Sequence, residues 1–185
     1  MQLVSDEISD IYLQSITLDD VTPNYVQWLN DPKVNQYLET RFTKQKLDSV
    51  NAFVKDILKQ PNEHLFTIRT KADNQHIGNI KVGHIDPVHN VGYVSLFIGD
   101  KNSWGKGFAV QAIQLISRYA LERLLLRKLI ASAYKPNIAS INAFLKVGYQ
   151  HECVLKSHYL LNGKPCDIIL TCLFNDNLDI LPSIL

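Results

Sequence analysis

Apolar positions along this chain hold one period for a stretch and then change it, and the changes mark the elements. Residues 18–38, LDDVTPNYVQWLNDPKVNQYL, carry helical spacing interrupted at Asp31-Pro32, which predicts a helix, a break and a second short helix. After Thr43 and Lys44, the apolar residues Leu47, Val50, Phe53, Val54, Ile57 and Leu58 share one helix face, and Pro61-Asn62 ends it. The period then falls from about 3.6 residues to 2. LFTIRT (65–70) and HIGNIKV (76–82) read as strands across a KADNQ turn, and HNVGYVSLFIGD (89–100) as a third strand, almost wholly apolar at its end.

The spacing turns helical again after the loop SWGKGFA (103–109). Ala109, Ala112, Ile113, Ile116, Ala120 and Leu124 line one face of a helix of about eighteen residues. KLIASAY (128–134) is a short buried strand that YKPN breaks, and Ala139 to Val147 is helical with Gly148 as its cap. Two strands, 152–161 and 166–174, flank Asn162-Gly163, the strongest short hairpin signal. No internal repeat, low-complexity segment or linker interrupts the series. The expectation is one domain over residues 1–185, of α/β (α+β) class, with a mixed, mostly antiparallel central sheet flanked by helices on both faces.

Composition narrows the function classes. A net charge of +1 provides no field for a nucleic-acid backbone, and no Lys/Arg-rich block exists. The opening MQLVSDEISDIYL is acidic and broken by polar residues, unlike a signal peptide. No run reaches the roughly eighteen apolar residues of a spanning helix. The greasiest stretch, ALERLLLRKLIASA, carries four charges. A cytoplasmic protein with no membrane partner is expected. Cys153, Cys166 and Cys172 are odd in number and form no C-x-x-C, and the histidines show no ligand spacing, so neither a disulfide framework nor a metal site is expected. The closing LDILPSIL is apolar enough to pack on a partner subunit or on the domain itself, which leaves monomer and homodimer both open.

SWGKGFA carries the chemistry. The chain has only 8 glycines in 185 residues and places two of them between the end of an apolar strand and the start of a helix. The first turn of a helix presents free N–H groups and a partial positive charge, and glycines leave room for an anion to approach. The residues alone allow either a phosphate cradle or a tight strand-to-helix turn. No Walker loop or dinucleotide G-x-G-x-x-G is present.

The neighbouring residues resemble one family. WGKGFA is similar to the [Q/R]-x-x-G-x-[G/A] pyrophosphate loop of the GCN5-related N-acetyltransferases, with Gly107 and Ala109 at the small positions. NIASINAFLKVGY (137–149) resembles that family's second motif, N-x-x-[A/S]-x-x-x-[Y/F]-x-K-x-G-[F/Y]. Glu152, Leu155 and the Asn-Gly hairpin follow as in the RimJ/RimL branch, and the early YVQWLNDPKVNQYLETRF resembles that branch's opening segment.

The resemblance implies transfer of an acetyl group from acetyl-CoA to an amine, with no metal. The loop amides of Gly105, Lys106, Gly107, Phe108 and Ala109 would hold the diphosphate of coenzyme A. Leu96, Phe97 and Ile98 would hold the pantetheine like an added strand, and Asn137 would bond that arm. Trp104, Ser140 and Phe144 complete the cofactor set. Trp104 stands where the motif usually has Arg or Gln, and Phe144 stands where many members carry a tyrosine general acid, so another donor or none must serve. An alkylammonium has a pKa near ~10.4 and must lose a proton before it attacks, whereas the leaving thiol, near ~8.5, needs little help. The resemblance makes Glu152 the candidate base and Ser140 the candidate donor to sulfur. Glu39, Arg41 and His84 are candidate acceptor-binding residues, and a histidine is a possible substitute for the missing tyrosine. The acceptor is a peptide or small-molecule amine. A protein N-terminus, a nucleotide-linked amino sugar, and a CoA-binding module without catalysis are the readings left standing. A deep polar pocket lined by Glu39, Arg41 or His84 would favour a small molecule, an open groove a peptide.

Overall fold

The computed structural model describes residues 2–175. LDILPSIL (178–185) lies outside the described residues. The elements in chain order are β1 (Leu3–Val4), β2 (Ile11–Ser15), α1 (Pro23–Asn30), α2 (Pro32–Asn35), α3 (Leu47–Ile57), β3 (His64–Thr70), β4 (His76–Asp86), β5 (Val91–Ile98), α4 (Phe108–Arg118), β6 (Lys128–Tyr134), α5 (Ile138–Lys146), β7 (Gln150–Leu161) and β8 (Lys164–Phe174). They form one eight-stranded sheet in the order β1-β2-β3-β4-β5-β6-β8-β7. Every neighbouring pair is antiparallel except β5 with β6.

Most elements follow from local chemistry. Asp31 ends α1 and begins α2: its backbone N–H donates to Trp28 O, and its carboxylate accepts from Lys33 N at 2.9 Å, with Pro32 in the first position of α2. Asn162 and Gly163 both take the positive φ a tight hairpin turn requires. Two strands precede the first helix, where the hydropathy pattern predicts none. β1 is two residues long, and β2 alternates a fully buried Ile11 and Leu13 with half-buried Tyr12 and Gln14.

Period-two alternation sends side chains to both faces. Phe66, Ile68, Ile80 and Leu129 pack with Ala112, Ile113, Ile116 of α4 and Phe144 of α5. Leu65, on the opposite face, packs with Tyr25, Trp28 and Leu29 of α1 and Val50, Val54 and Ile57 of α3. Gly99 lets Trp28 lie directly on the chain after β5, since a Cβ there would stand 2.1 Å from the indole. Among the described residues no helix is long and apolar enough to cross a membrane.

Candidate active site

The parallel pairing of β5 and β6 covers only Val91↔Lys128, Gly92↔Leu129 and Tyr93↔Ile130. Beyond it, β5 stays with β4 through Ile98, and β6 stays with β8 through Tyr134. The two strands therefore diverge, and their facing edges carry backbone groups with no ladder partner. A cavity of about 1120 Å³ runs through the gap. On one side it reaches Trp104, Gly105, Gly107, Phe108 and Ala109 at the start of α4 and Pro136 to Ser140 at the start of α5. On the other it reaches Tyr37, Glu39, Thr40, Lys81, His84 and Tyr159.

The α4 end fits the diphosphate of coenzyme A. Gly107 is the N-cap residue, with φ of 79°, and provides no side chain to bond the first-turn N–H groups. Gly105 has φ of 76°. A Cβ at either glycine would meet open space, so the backbone conformation selects glycine here, not crowding. The free amides and the helix dipole face the gap. Trp104 donates its indole N–H to Ile98 O at 2.9 Å, which fixes the loop against the end of β5. The unpaired edge of β5 and a cavity of this size suit an extended arm with amide groups.

The residues singled out from sequence are mostly brought together. Leu96, Phe97, Ile98, Trp104, Gly105, Gly107, Phe108, Ala109, Asn137, Ser140, Phe144, Glu39 and His84 all line the cavity. Asn137 caps α5 by accepting from Ser140 N at 3.3 Å. Phe144 is 3% exposed and packs edge-on against Tyr149, with ring centroids 5.0 Å apart. Lys106 is not among the lining residues. Glu152 is not brought to the cavity. It ion-pairs with Lys128, at the beginning of β6, whereas the gap opens toward the end of that strand. Arg41 lies behind the wall and organises it. Its guanidinium donates to Leu38 O at 2.9 Å, to Tyr134 Oη at 2.7 Å and to Leu160 O at 3.1 Å, and it pairs with Glu39.

Sequence reading missed Tyr37, Lys81 and Tyr134 of the wall, and Glu63 beside Lys81. Tyr134 donates its hydroxyl to Glu39 Oε1 at 2.7 Å while accepting from Arg41. Burial, with the Glu39 carboxylate next to it, pushes the Tyr134 phenol up. Tyr37 and Tyr159 flank its ring. Glu63 is nearly buried; Lys81 Nζ stands 2.8 Å from its Oε2, and His84 Nδ1 stands 2.8 Å from its Oε1. Lys81 sits outside hydrogen-bond alignment and so acts as a point charge. Burial alone would raise the Glu63 carboxyl, but the Lys81 ammonium and the His84 amide outweigh it and hold the group below its ordinary value. No motif announces these residues. Tyr134 ends a strand whose facing was legible, but Glu63, Lys81 and His84 meet only through the register of β4.

Comparison with known proteins agrees with this geometry. The family pattern described as Acetyltransferase (GNAT) domain matches residues 10–150. The uncharacterized N-acetyltransferase p20 of Bacillus licheniformis is 27% identical over 161 residues, covering 85% of this chain and 89% of that protein. Two solved structures share the fold. Spermidine N-acetyltransferase from Vibrio cholerae in complex with CoA and spermine superposes with a TM-score of 0.81 at 18% identity, covering 90% of this chain and 96% of that one. RimL, a ribosomal L7/L12 alpha-N-protein acetyltransferase in complex with coenzyme A, gives 0.82 at 16% identity, over 95% and 99% of the two chains.

Proposed function

Because the chain belongs to the acetyltransferase (GNAT) domain family, we propose that its gap between β5 and β6 is the active site of a single domain spanning residues 1–185, and that the acceptor is a small-molecule primary amine. The protein is an N-acetyltransferase, and acetyl-CoA is its acyl donor. Acetyl-CoA supplies the activated acyl carbon and a sulfur able to leave with a proton. Everything else falls to the chain. The uncapped amides at Gly105 to Ala109 bind the diphosphate. The open edge along Leu96 to Ile98 orients the arm, and a backbone N–H left free there is placed to donate to developing negative charge on the acyl oxygen. Asn137 caps α5 with its oxygen, leaving its amide N–H groups for the arm.

One observation carries the choice of acceptor: the cavity continues past the gap to a polar wall of Glu39, Lys81 and His84 instead of opening as a flat groove. Glu39 supplies a carboxylate and Tyr37, Tyr134 and Tyr159 supply ring faces, a combination suited to an ammonium. Glu152 has no role in this reading, and Ser140 has one only through its backbone N–H.

Two measurements test it. Acetyl-CoA at about 100 times its Kd should stabilise the folded protein by about 2.7 kcal/mol, seen as a rise in melting temperature. An unchanged melting curve at high excess would remove the active-site assignment. An acceptor panel of peptides, polyamines, aminoglycosides and nucleotide amino sugars, read by release of free thiol, should show turnover with small amines. Turnover confined to peptides would overturn the acceptor class.

A further inference from the structure

The reaction needs a group that removes a proton from an ammonium, and the obvious candidates in the wall are committed elsewhere. Glu152 is outside the cavity, paired with Lys128. Phe144 has no proton to exchange. The Tyr134 hydroxyl already donates to Glu39 and accepts from Arg41. His84 is different. Its ring lines the cavity with Nδ1 2.8 Å from Glu63 Oε1, and among the described residues Nε2 has no partner.

The backbone around His84 is built for that contact. A β-bulge interrupts β4 between Gly83 and Asp86. His84 sits in it with φ of 47°, a left-handed conformation that costs a non-glycine residue free energy and gathers at functional sites. The bulge is tied down by Ile85 N donating to Asn62 O at 3.2 Å, and the His84 N–H donates to the same Glu63 Oε1 at 3.0 Å. Gly83 makes room: a Cβ there would stand 1.9 Å from Glu63 Oε2. Glu63 is 6% exposed on its side chain whereas His84 is 76% exposed. A buried carboxylate thus stands beside one nitrogen of an exposed ring on a residue that lines the cavity.

We propose that His84 and Glu63 form the proton-abstracting pair for the acceptor amine, with His84 Nε2 as the catalytic base and Glu63 as a positioning residue. The inference rests on the N-acetyltransferase reading above. With its proton on Nδ1, 2.8 Å from the Glu63 carboxylate, the ring leaves the Nε2 lone pair free. That lone pair takes one proton from R–NH₃⁺, giving R–NH₂ and an imidazolium that the Glu63 carboxylate stabilises. As the amine nitrogen bonds to the acyl carbon and the carbon–sulfur bond breaks, the nitrogen loses a second proton, which leaves with the sulfur. The imidazolium returns its proton to solvent, and the net products are the amide, the free thiol and one proton.

Three readouts separate this role from a structural one. Nitrogen-detected NMR of the ligand-free protein should show His84 as the Nδ1–H tautomer, and Glu63→Gln should shift it toward Nε2–H. With an amine identified from the acceptor panel, His84→Ala should lower kcat by about 100-fold or more with KM for acetyl-CoA little changed, and added imidazole should restore part of the loss. Glu63→Gln should lower kcat by about tenfold or more, with the acetyl-CoA melting shift retained. An Nε2–H tautomer in the wild type, or wild-type kcat in His84→Ala while the wild type turns over amines, would overturn the pair and leave the enzyme assignment standing. A wild type that binds no acetyl-CoA and releases no thiol with any amine would overturn both.

Discussion

At the scale of single residues, two closely packed positions have effects that can be measured apart from activity. Gly99 is one: Ala there drives a methyl into Trp28, which also touches Tyr25 and His76. Gly99→Ala should destabilise the fold by about 1–3 kcal/mol, read by urea denaturation. His76 is the other. Its Nε2 lies 3.0 Å from Gly78 O, and its ring is packed between Tyr25 and Trp28. Burial, then the nearby Arg69 charge, lowers its pKa from 6.5 to about 4, against the opposing pull of Asp20. The unfolded imidazole therefore binds a proton at pH values where the folded one does not. Stability rises with pH across the window from about 4 to 6.5, by up to about 3 kcal/mol, and is lost as pH falls through it. His64, also lowered by burial, adds to the same slope, while the lowered carboxylates Asp20, Asp31 and Glu63 act at lower pH. Melting temperatures of His76→Gln and wild type between pH 4 and 7 should converge at the acid end. Residue identity alone revealed the glycines of the loop. It did not reveal that Glu152 would pair with Lys128 away from the cavity.

Among the elements, that failure has a physical cause. Period two tells which face a strand residue takes only while the register is unbroken. β7 shifts register between His151 and Cys153 and again between Leu155 and Tyr159, and β4 shifts between Gly83 and Asp86. Glu152 sits at the first of these breaks and His84 in the last, so neither facing could be read from alternation. Helices were more legible: α3 and α5 fall where the spacing and the Pro and Gly stops put them, whereas the helix expected to run about eighteen residues is α-helical only over Phe108–Arg118 and continues as a π-helical turn over Tyr119–Arg123. β1 and β2 escaped because two and five residues are too few to establish a period. The cap of α5 offers a check at this scale. Asn137→Ala removes the acceptor for Ser140 N and should cost about 1 kcal/mol of stability. Because Asn137 also lines the gap, it should weaken acetyl-CoA binding, measurable by calorimetry.

Across the whole molecule, the site depends on segments far apart in sequence. Arg41, after α2, reaches Tyr134 at the end of β6 and Leu160 near the end of β7, with Phe42 and Tyr134 rings on its guanidinium. One side chain thus fixes the wall across the acceptor end. Arg41→Ala should raise KM for the amine several-fold, more than it changes the Kd of acetyl-CoA, because the α4 end of the cavity is untouched. Steady-state kinetics with the amine varied, set beside acetyl-CoA titration, would check this. The order of elements and the class of fold were readable because hydrophobic periods and turn residues are local. The encounter of Arg41, Tyr134 and Leu160 was not, because nothing local encodes which loops meet across a sheet.

The short union of β5 with β6 has a mechanical consequence. Three residue pairs join the halves of the sheet there, against seven between β4 and β5 and seven between β6 and β8. Under tension applied across the strands, the protein has a built-in tear line. Opening it separates strands one to five from the last three, leaving each group of strands stitched to itself.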